Sequence, residues 1–530
     1  MNESKAKKPV ERKRKLANRK RRIQYRLRER HWEDQPEPML AASNIQYELS
    51  ERVRGLDCGG IGAFHLLARR TGLIEAIDRK LHLLKFHLPY HESDHVLNMA
   101  YNIATGGTCL EHLELRRNDE VYLDALAAQR IPDPTTAGDF CRRFEPHDVE
   151  MLMEAINEVR LQVWRQQPEE FFEEAIIDAD GLLAETTGEC KEGMALAYNG
   201  MWGYHPLLVS LANTAEPLYL ANRPGNRPSH EGAHHYIDRS IDLCRGAGFR
   251  SILLRGDTDF SQTQHLDRWN AAGVRFLFGI NAMPNLVEMA ESLPQRAWKP
   301  LKRGPKYEVQ TQPRERPENV KERIVVAKQY ENIKLVSEEV AEFDYQPTAC
   351  DEFYTIIVLR KNLSVEKGEQ VLFDDIRYFF YITNDQRTPA DQLVPQANGR
   401  CNQENLIEQL KNGVHAMRMP TGDLTSNWAY MVMASLAWTL KAWFALLLPD
   451  KGRWAEKYKR EKTTVLRMEF KTFLNAFVRV PCQIVRTGRR LLFRLLSWNP
   501  WQHVLLRVTD RLLLLRTNDG LRSAAGGLRC

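Results

Sequence analysis

The spacing of apolar and polar positions changes near residue 170, and this change divides the chain. Residues 50–165 carry short amphipathic patterns with helical spacing, interrupted by turn residues such as Gly106 and Gly107. From about residue 170 the pattern is typical of strands. An apolar run ends at Asp180, and shorter runs bounded by Gly, Asn or Pro follow at 194–198, 207–211 and 218–220. A helical region is therefore predicted to precede a β-rich one.

Helices and strands alternate in the next part of the chain. The pattern predicts a helix from Ser229 to about Arg245, a strand Phe249–Arg255, a helix over 261–272 and a strand Val274–Gly279. The resulting order, β-β-β-α-β-α-β, predicts a mixed α/β sheet covered by helices, the order of an RNase H-like fold. Basic, proline-bearing sequence from Pro300 to Pro317 and further β-rich runs, including 323–326, then predict an inserted β-rich subdomain.

A long apolar segment, Ala429–Pro449, is nearly long enough to span a bilayer. Ser435, Thr439 and Lys441 interrupt it, and no second such segment accompanies it. The segment is therefore predicted to be a buried core helix, and no membrane partner is expected.

Composition adds a prediction about partners. The chain of 530 residues has a net charge of +6, and residues 1–30 hold 14 Lys/Arg against 3 Glu, a net of +11, which leaves 6 − 11 = −5 for the rest. Residues 451–500 hold 13 Lys/Arg and 3 Glu, a net of +10. Basic ends around an acidic middle favour a polyanionic partner, nucleic acid before membrane.

The cysteines and the N-terminus predict a cytoplasmic protein. Nine cysteines are scattered without a Cys-x-x-Cys spacing, which argues for a reducing compartment and against zinc fingers or a disulfide framework. The N-terminus is charged, and no apolar run of a signal peptide follows it.

These patterns predict six segments. They are a basic disordered arm over 1–45 with a linker at Gln35–Pro38, a helical DNA-binding region over 46–165, the first part of an RNase H-like core over 166–285, an inserted β-rich subdomain over 286–395, the second part of the core over 396–450, and a basic helical C-terminal region over 451–530.

The segment His91-Glu-Ser-Asp-His95 matches the His-Glu-x-x-His pattern of zinc peptidases. Pro89 stands where the peptidase helix would already be running, and Asp94 puts a charge where the pattern has none. We interpret the segment as a helix N-terminus with acids in its first turn.

The first candidate for chemistry is the segment 400–411. Arg400, Glu404, Glu408 and Lys411 are spaced so that one helix would place all four on one stripe. Two interpretations remain open: an acid that binds a metal ion against a phosphate backbone, or a solvated helix laced with ion pairs.

Two acids at the ends of predicted strands favour the metal-binding interpretation. Asp180 and Asp257 each follow a predicted strand, at the carboxyl ends where open α/β sheets place their sites. With Glu404 they form a set of three carboxylates, separated by 257 − 180 = 77 and 404 − 257 = 147 residues. Such oxygen ligands favour Mg²⁺ or Mn²⁺ over Zn²⁺. Asp178 is an alternative to Asp180 as the first ligand.

With these residues the chain resembles a bacterial insertion-sequence transposase of the DDE class, in the group with a Tyr-x2-Arg-x3-Glu-x6-Lys signature. Arg400, Glu404 and Lys411 match its last three members, whereas Ala397 stands where the signature has Tyr. Asp180-Gly181 resembles the first Asp of the family, and Arg255-Gly-Asp257 resembles the second.

The resemblance implies an enzyme whose metal ligands are Asp180, Asp257 and Glu404, binding two Mg²⁺ or Mn²⁺ ions. It implies cleavage of DNA at transposon ends and strand transfer into target DNA by cut-and-paste, with Arg400 and Lys411 holding phosphates. It also implies a homodimer on the DNA and a cytoplasmic, nucleoid-associated location. The alternatives are an RNase H-like nuclease or resolvase without strand transfer, and a catalytically inert DNA-binding protein.

Overall fold

The computed structural model describes residues 3–28, 39–40, 42–50, 53–197, 199–303, 323–324, 327–329, 331–367, 370–488 and 490–515. The chain forms two compact units, one of residues 1–167 and 408–530 and one of residues 168–407. The predicted linker Gln35–Pro38, most of the basic run Pro300–Pro317 and part of the run 323–326 lie outside the described residues.

The described α-helices are numbered here in chain order. They are α1 (Glu3–Arg26), α2 (Ile61–Arg70), α3 (Leu73–Lys80), α4 (Glu92–Ala104), α5 (Leu113–Arg117), α6 (Glu120–Leu126), α7 (Pro134–Cys141), α8 (Pro146–Trp164), α9 (Ala233–Ala247), α10 (Leu266–Ala271), α11 (Pro284–Glu291), α12 (Ala390–Asn398), α13 (Asn402–Glu408), α14 (Leu424–Leu446), α15 (Ala455–Arg467), α16 (Phe470–Phe473) and α17 (Gln502–Leu514). Two π-helical turns cover Gln409–Gly413 and Leu474–Val478.

The described strands are numbered in the same way. They are β1 (Gly55–Leu56), β2 (Glu174–Gly181), β3 (Ala184–Glu185), β4 (Ala195–Leu196), β5 (Trp202–Tyr204), β6 (Leu207–Leu211), β7 (Glu216–Ala221), β8 (Ser251–Gly256), β9 (Arg275–Ile280), β10 (Lys299–Pro300), β11 (Glu331–Tyr345), β12 (Tyr354–Lys367), β13 (Gln370–Thr383), β14 (Cys482–Thr487) and β15 (Arg490–Leu495).

The first unit is organised around α14. This helix is buried on all sides and packs against α2, α4, α8 and α15, because apolar side chains occupy its whole circumference. Among the described residues, α14 alone is long and apolar enough to cross a membrane, and its apolar window is 100% buried within the protein. The prediction of a buried core helix in this segment is confirmed.

Both basic ends of the chain differ from their predictions. The arm predicted to be disordered contains α1, in which Arg19 donates to the backbone carbonyls of Ser497 and Leu495 at 2.9 Å each. The C-terminal region, predicted to be helical, also contains the hairpin β14–β15, which β1 extends to a three-stranded sheet. Exposure alternates along β15, with Leu491, Phe493 and Leu495 on the less exposed face, and this period of two is that of a strand.

The His91–His95 segment forms the start of a helix, as predicted. His91 is the N-cap of α4, and Glu92 and Asp94 lie in its first turn. Glu92 is buried and accepts the backbone N–H groups of Leu83 and Leu84 at 3.0 Å. The acid therefore closes a loop.

The second unit contains a nine-stranded sheet in the order β10-β11-β12-β13-β9-β8-β2-β6-β7. Strands β2, β6 and β7 are antiparallel neighbours, whereas β8 and β9 run parallel to β2. Helix α9 connects β7 to β8, and α10 precedes β9, so the predicted order β-β-β-α-β-α-β is confirmed. The run 194–198 departs from it, because β4 joins a small sheet β3-β5-β4.

The strands predicted as an inserted subdomain belong to the same sheet. Strand β13 pairs antiparallel with β9, and β12 and β11 follow it outward. The described strands of the region 286–395, predicted as an inserted β-rich subdomain, thus continue the nine-stranded sheet. Helix α12 packs its apolar side chains against this sheet, in a core cluster of Leu253, Leu277, Leu301, Val340, Ile357, Leu359, Ala390, Leu393, Val394 and Ala397.

Candidate active site

The register of two parallel strands brings the strand-end acids together. Asp178 on β2 pairs with Arg255 on β8. Asp180 follows Asp178 by two residues, and Asp257 follows Arg255 by two. Asp180 and Asp257 are therefore also 77 residues apart in sequence. Alternate residues of a strand face the same side of the sheet, so Asp178 and Asp180 share a face.

Asp178 is held in a buried ion pair. Arg255 Nε donates to Asp178 Oδ1 at 2.7 Å, and Arg255 Nη2 donates to Oδ2 at 2.8 Å. The two side chains are 1% and 7% exposed, and Arg255 Nη1 also donates to the carbonyl of Gln396 at 2.8 Å. Both oxygens of Asp178 are thus engaged in the protein interior.

Asp180 and Asp257 share a different arginine. Arg400 Nη1 lies 3.7 Å from Asp180 Oδ2 and 3.9 Å from Asp257 Oδ2. Asp180 is 15% exposed and Asp257 33%. The structure therefore brings Asp180, Asp257 and Arg400 into one ionic cluster that solvent can reach.

Arg400 and Glu404 are carried by a segment that is fixed to the sheet. Gln403, buried on α13, donates to the carbonyl of Asp178 at 3.1 Å and to Ser210 Oγ at 3.0 Å. The next residue, Glu404, is exposed. At Gly399, in the 3-10 turn before α13, a Cβ would lie 2.5 Å from Arg255 Nη1, so only glycine permits this approach.

The helix predicted over 400–411 is not a single α-helix. A 3-10 turn covers Gly399–Cys401, α13 ends at Glu408, and Lys411 lies in the π-helical turn that follows. The even spacing assumed for the stripe does not continue through a π turn. Lys411 belongs to the first unit, while the other candidate residues belong to the second.

The glycine after Asp180 is required by its neighbours. A Cβ at Gly181 would lie 2.7 Å from His205 Nε2 and 3.0 Å from Ser229 Oγ. His205 Nδ1 donates to the carbonyl of Arg227 at 2.6 Å, which fixes the ring. His205 therefore lies beside the candidate site, although no sequence pattern pointed to it.

Ala397 stands where the signature of the resembling group has tyrosine. Its side chain is 7% exposed and belongs to the core cluster between α12 and the sheet. A tyrosine would have to displace neighbours such as Leu253 and Leu277, because a packed core has no space for the added ring.

The acids influence one another electrostatically. Burial, and then the negative charge of Asp257, raise the pKa of Asp180 to about 7, while Arg400 opposes this shift and Glu404 adds to it. Burial also raises the pKa of Asp257, again against the effect of Arg400. Two carboxylates of this kind hold protons more tightly in the folded chain than in the unfolded one.

This shift predicts a pH dependence of stability. Because the folded-state pKa of Asp180 lies above the unfolded value, its contribution is complete at low pH and is lost as the pH rises through about 7. The unfolding free energy of Asp180→Asn relative to wild type should therefore increase by about 1 kcal/mol or more from pH 5.5 to pH 8. Urea unfolding in EDTA at both pH values measures this difference. A difference that does not change with pH would contradict it.

The donor set suits a hard divalent cation. Asp180 and Asp257 offer adjacent carboxylate oxygens, and a cation would relieve their mutual repulsion. Within the described residues, however, no group of three His, Cys, Asp or Glu side chains is close enough to hold a metal ion. Asp180 and Asp257 therefore offer the ion a pair of carboxylates, and Glu404 is not close enough to form a group of three with them.

Sequence reasoning missed the Asp178–Arg255 pair and the anchor Gln403. One signal was present: Arg255 precedes Asp257 by two residues, as Asp178 precedes Asp180. On adjacent parallel strands this equal spacing pairs Arg255 with Asp178 and places Asp180 beside Asp257. The sequence carries no comparable sign of Gln403.

Known proteins give three findings. Residues 57–517 match the family model described as transposase DDE domain group 1. No curated protein matches the chain. Among solved structures, the chain is similar to piggyBac transposase in a cryo-EM structure of its synaptic complex with hairpin DNA, with a TM-score of 0.36 and 9% identity over 80% of this chain and 83% of that one.

Proposed function

The chain belongs to the DDE-domain transposases, and from this premise we propose that it cleaves DNA at transposon ends and transfers the strands into target DNA by cut-and-paste. Family membership makes it an enzyme of the nuclease or transferase class that serves transposition. The proposed catalytic residues and metal ligands are Asp180, Asp257 and Glu404.

One observation carries the proposal more than any other. Asp180 and Asp257 come from strands 77 residues apart in sequence, yet both lie within 4 Å of one guanidinium nitrogen. Neighbouring carboxylates repel each other, and a bound cation would relieve this repulsion. The choice of Asp180 over Asp178 is supported by Arg255, which occupies both oxygens of Asp178.

Asp180, Asp257 and Glu404 would hold two Mg²⁺ or Mn²⁺ ions. Such a pair of ions activates the attacking oxygen and stabilises the leaving oxygen of an in-line phosphoryl transfer. The protein itself supplies position. Gln403 fixes α13 against β2 and β6, and this contact supports Glu404, the next residue, as the third ligand. Gly181 keeps the backbone after Asp180 within contact of His205.

The remaining parts of the proposal concern DNA. Arg400 and Lys411 contact phosphates, and the helical region 46–165 reads the transposon ends. The enzyme acts as a homodimer on transposon-end and target DNA in the bacterial cytoplasm, associated with the nucleoid. Support comes from charge: exposed cations such as Arg12, Arg14 and Lys15 lie along α1, and Lys457 and Arg460 lie along α15.

A pre-nicked transposon end tests the proposal. With Mg²⁺ and target DNA, the enzyme should join the free 3′-OH of this substrate to the target, and a labelled joined product is read on a gel. Cleavage without joining would indicate the nuclease or resolvase instead. DNA binding without either reaction would indicate an inert DNA-binding protein.

A further inference from the structure

Two arginines approach neighbouring acids on one face of the sheet, and their contacts differ in kind. Arg255 donates three hydrogen bonds of 2.7–2.8 Å and is 7% exposed. Arg400 approaches Asp180 and Asp257 at 3.7 and 3.9 Å and is 23% exposed. These distances are too long for hydrogen bonds.

Arg400 is therefore held by charge alone. In the part of the chain that the structure describes, its guanidinium has no hydrogen bond, and its ionic partners are the two acids. The backbone beneath it is fixed, because Gly399 packs on Arg255 and Gln403 is bonded to β2 and β6. A change at this position therefore requires only rotation of one long side chain.

We infer that Arg400 is an internal counter-ion that occupies the place of the divalent cation and leaves when the cation binds. The inference rests on the metal site of the proposed function. A Mg²⁺ ion bridging Asp180 and Asp257 would lie about 2.1 Å from an oxygen of each. Arg400 Nη1 faces the same two oxygens, so the ion and the guanidinium would repel each other at short range.

The exchange has a function in the reaction. Without metal, Arg400 keeps Asp180 and Asp257 from facing each other as bare charges. With metal, the released guanidinium reaches solvent beside the site, where a DNA phosphate is its natural partner. Metal loading would thus make the arginine available for DNA, so that one side chain serves the empty and the loaded states in turn.

Binding of Mn²⁺ tests the inference without any measurement of activity. Free Mn²⁺ is followed by its EPR signal during titration of wild type and Arg400→Gln. Since the variant has no competing charge at the site, its dissociation constant should fall about tenfold, within the usual range for coupling between two sites. Arg400→Lys, which keeps the charge, should remain closer to wild type.

Two further variants make the outcome decisive. Arg377→Gln removes an exposed arginine that pairs with Asp375 at 2.8 Å, and it should bind Mn²⁺ as wild type does. Asp257→Asn should abolish Mn²⁺ binding both in wild type and in combination with Arg400→Gln. Equal or weaker binding by Arg400→Gln, with binding still dependent on Asp257, would overturn the counter-ion and leave the metal site intact. Binding that persists in Asp257→Asn, or no binding to any variant, would overturn the proposed metal site and the inference with it.

Discussion

Asp257→Asn is expected to abolish cleavage of transposon-end DNA while DNA binding remains. The amide keeps the shape of the side chain and removes the negative charge that a divalent cation requires. Loss of a metal ligand removes several kcal/mol of transition-state stabilisation, a rate reduction of roughly a thousandfold or more. Cleavage rates from gels and DNA affinity from fluorescence anisotropy measure the two properties separately.

Stability distinguishes this loss from misfolding. Asp257→Asn removes a negative charge that adds to the effect of burial in raising the pKa of Asp180, so the metal-free variant should unfold no more easily than wild type. Asp242→Asn, at an exposed position of α9, is the matched control and should cleave normally. Glu404→Gln should behave as Asp257→Asn does. Cleavage within tenfold of wild type in either variant would mean that another residue supplies that ligand.

Arg255→Met should cost about 3–5 kcal/mol of unfolding free energy, because it leaves the carboxylate of Asp178 buried without a partner. Asp178 is 1% exposed, and Arg255 supplies the donors to both of its oxygens. The same change also removes the donor to the carbonyl of Gln396 before α13. Urea unfolding followed by circular dichroism gives the magnitude.

Two variants separate the uncompensated charge from other effects of the substitution. Arg377→Met breaks a pair between side chains that are 52% and 32% exposed, and it should cost less than about 1 kcal/mol. The double variant Asp178→Leu with Arg255→Met removes both charges and should recover most of the loss. Equal costs for the single and double variants would show that packing, rather than the unpaired charge, dominates.

Local patterns were sufficient to predict the elements that carry the site. The apolar run before Asp180 and the strand before Asp257 each form a strand of the sheet, and the helix between them lies where its glycine stop predicts, with Gly248 at φ 102°. These elements could be predicted because the spacing of apolar residues that marks a helix or a strand is set by residues close together in the sequence. The α14 segment follows the same rule, since a helix that is apolar around most of its circumference has to be buried.

The remaining features depend on contacts between distant residues. The position of Arg400 between two acids follows from strand register and from the anchor Gln403, which reaches Ser210 across 193 residues. The π turn at Gln409–Gly413 has no sequence signal of its own, because Asn412 and Gly413 predict only the end of a helix. The basic arm forms α1 because Lys and Arg favour helices and because Arg19 finds acceptors near β15.

The pairing of β13 with β9 limits how the enzyme can be shortened. Residues Phe380–Thr383 at the end of β13 cover the outer edge of β9 along Leu277–Ile280, whose sequence Leu-Phe-Gly-Ile is largely apolar. A minimal catalytic fragment made by excising β10–β13 would expose this row of unpaired backbone groups and invite intermolecular strand addition. Strands β10–β13 thus protect the edge of β9 from intermolecular pairing. A soluble truncation would need charged or proline substitutions along β9.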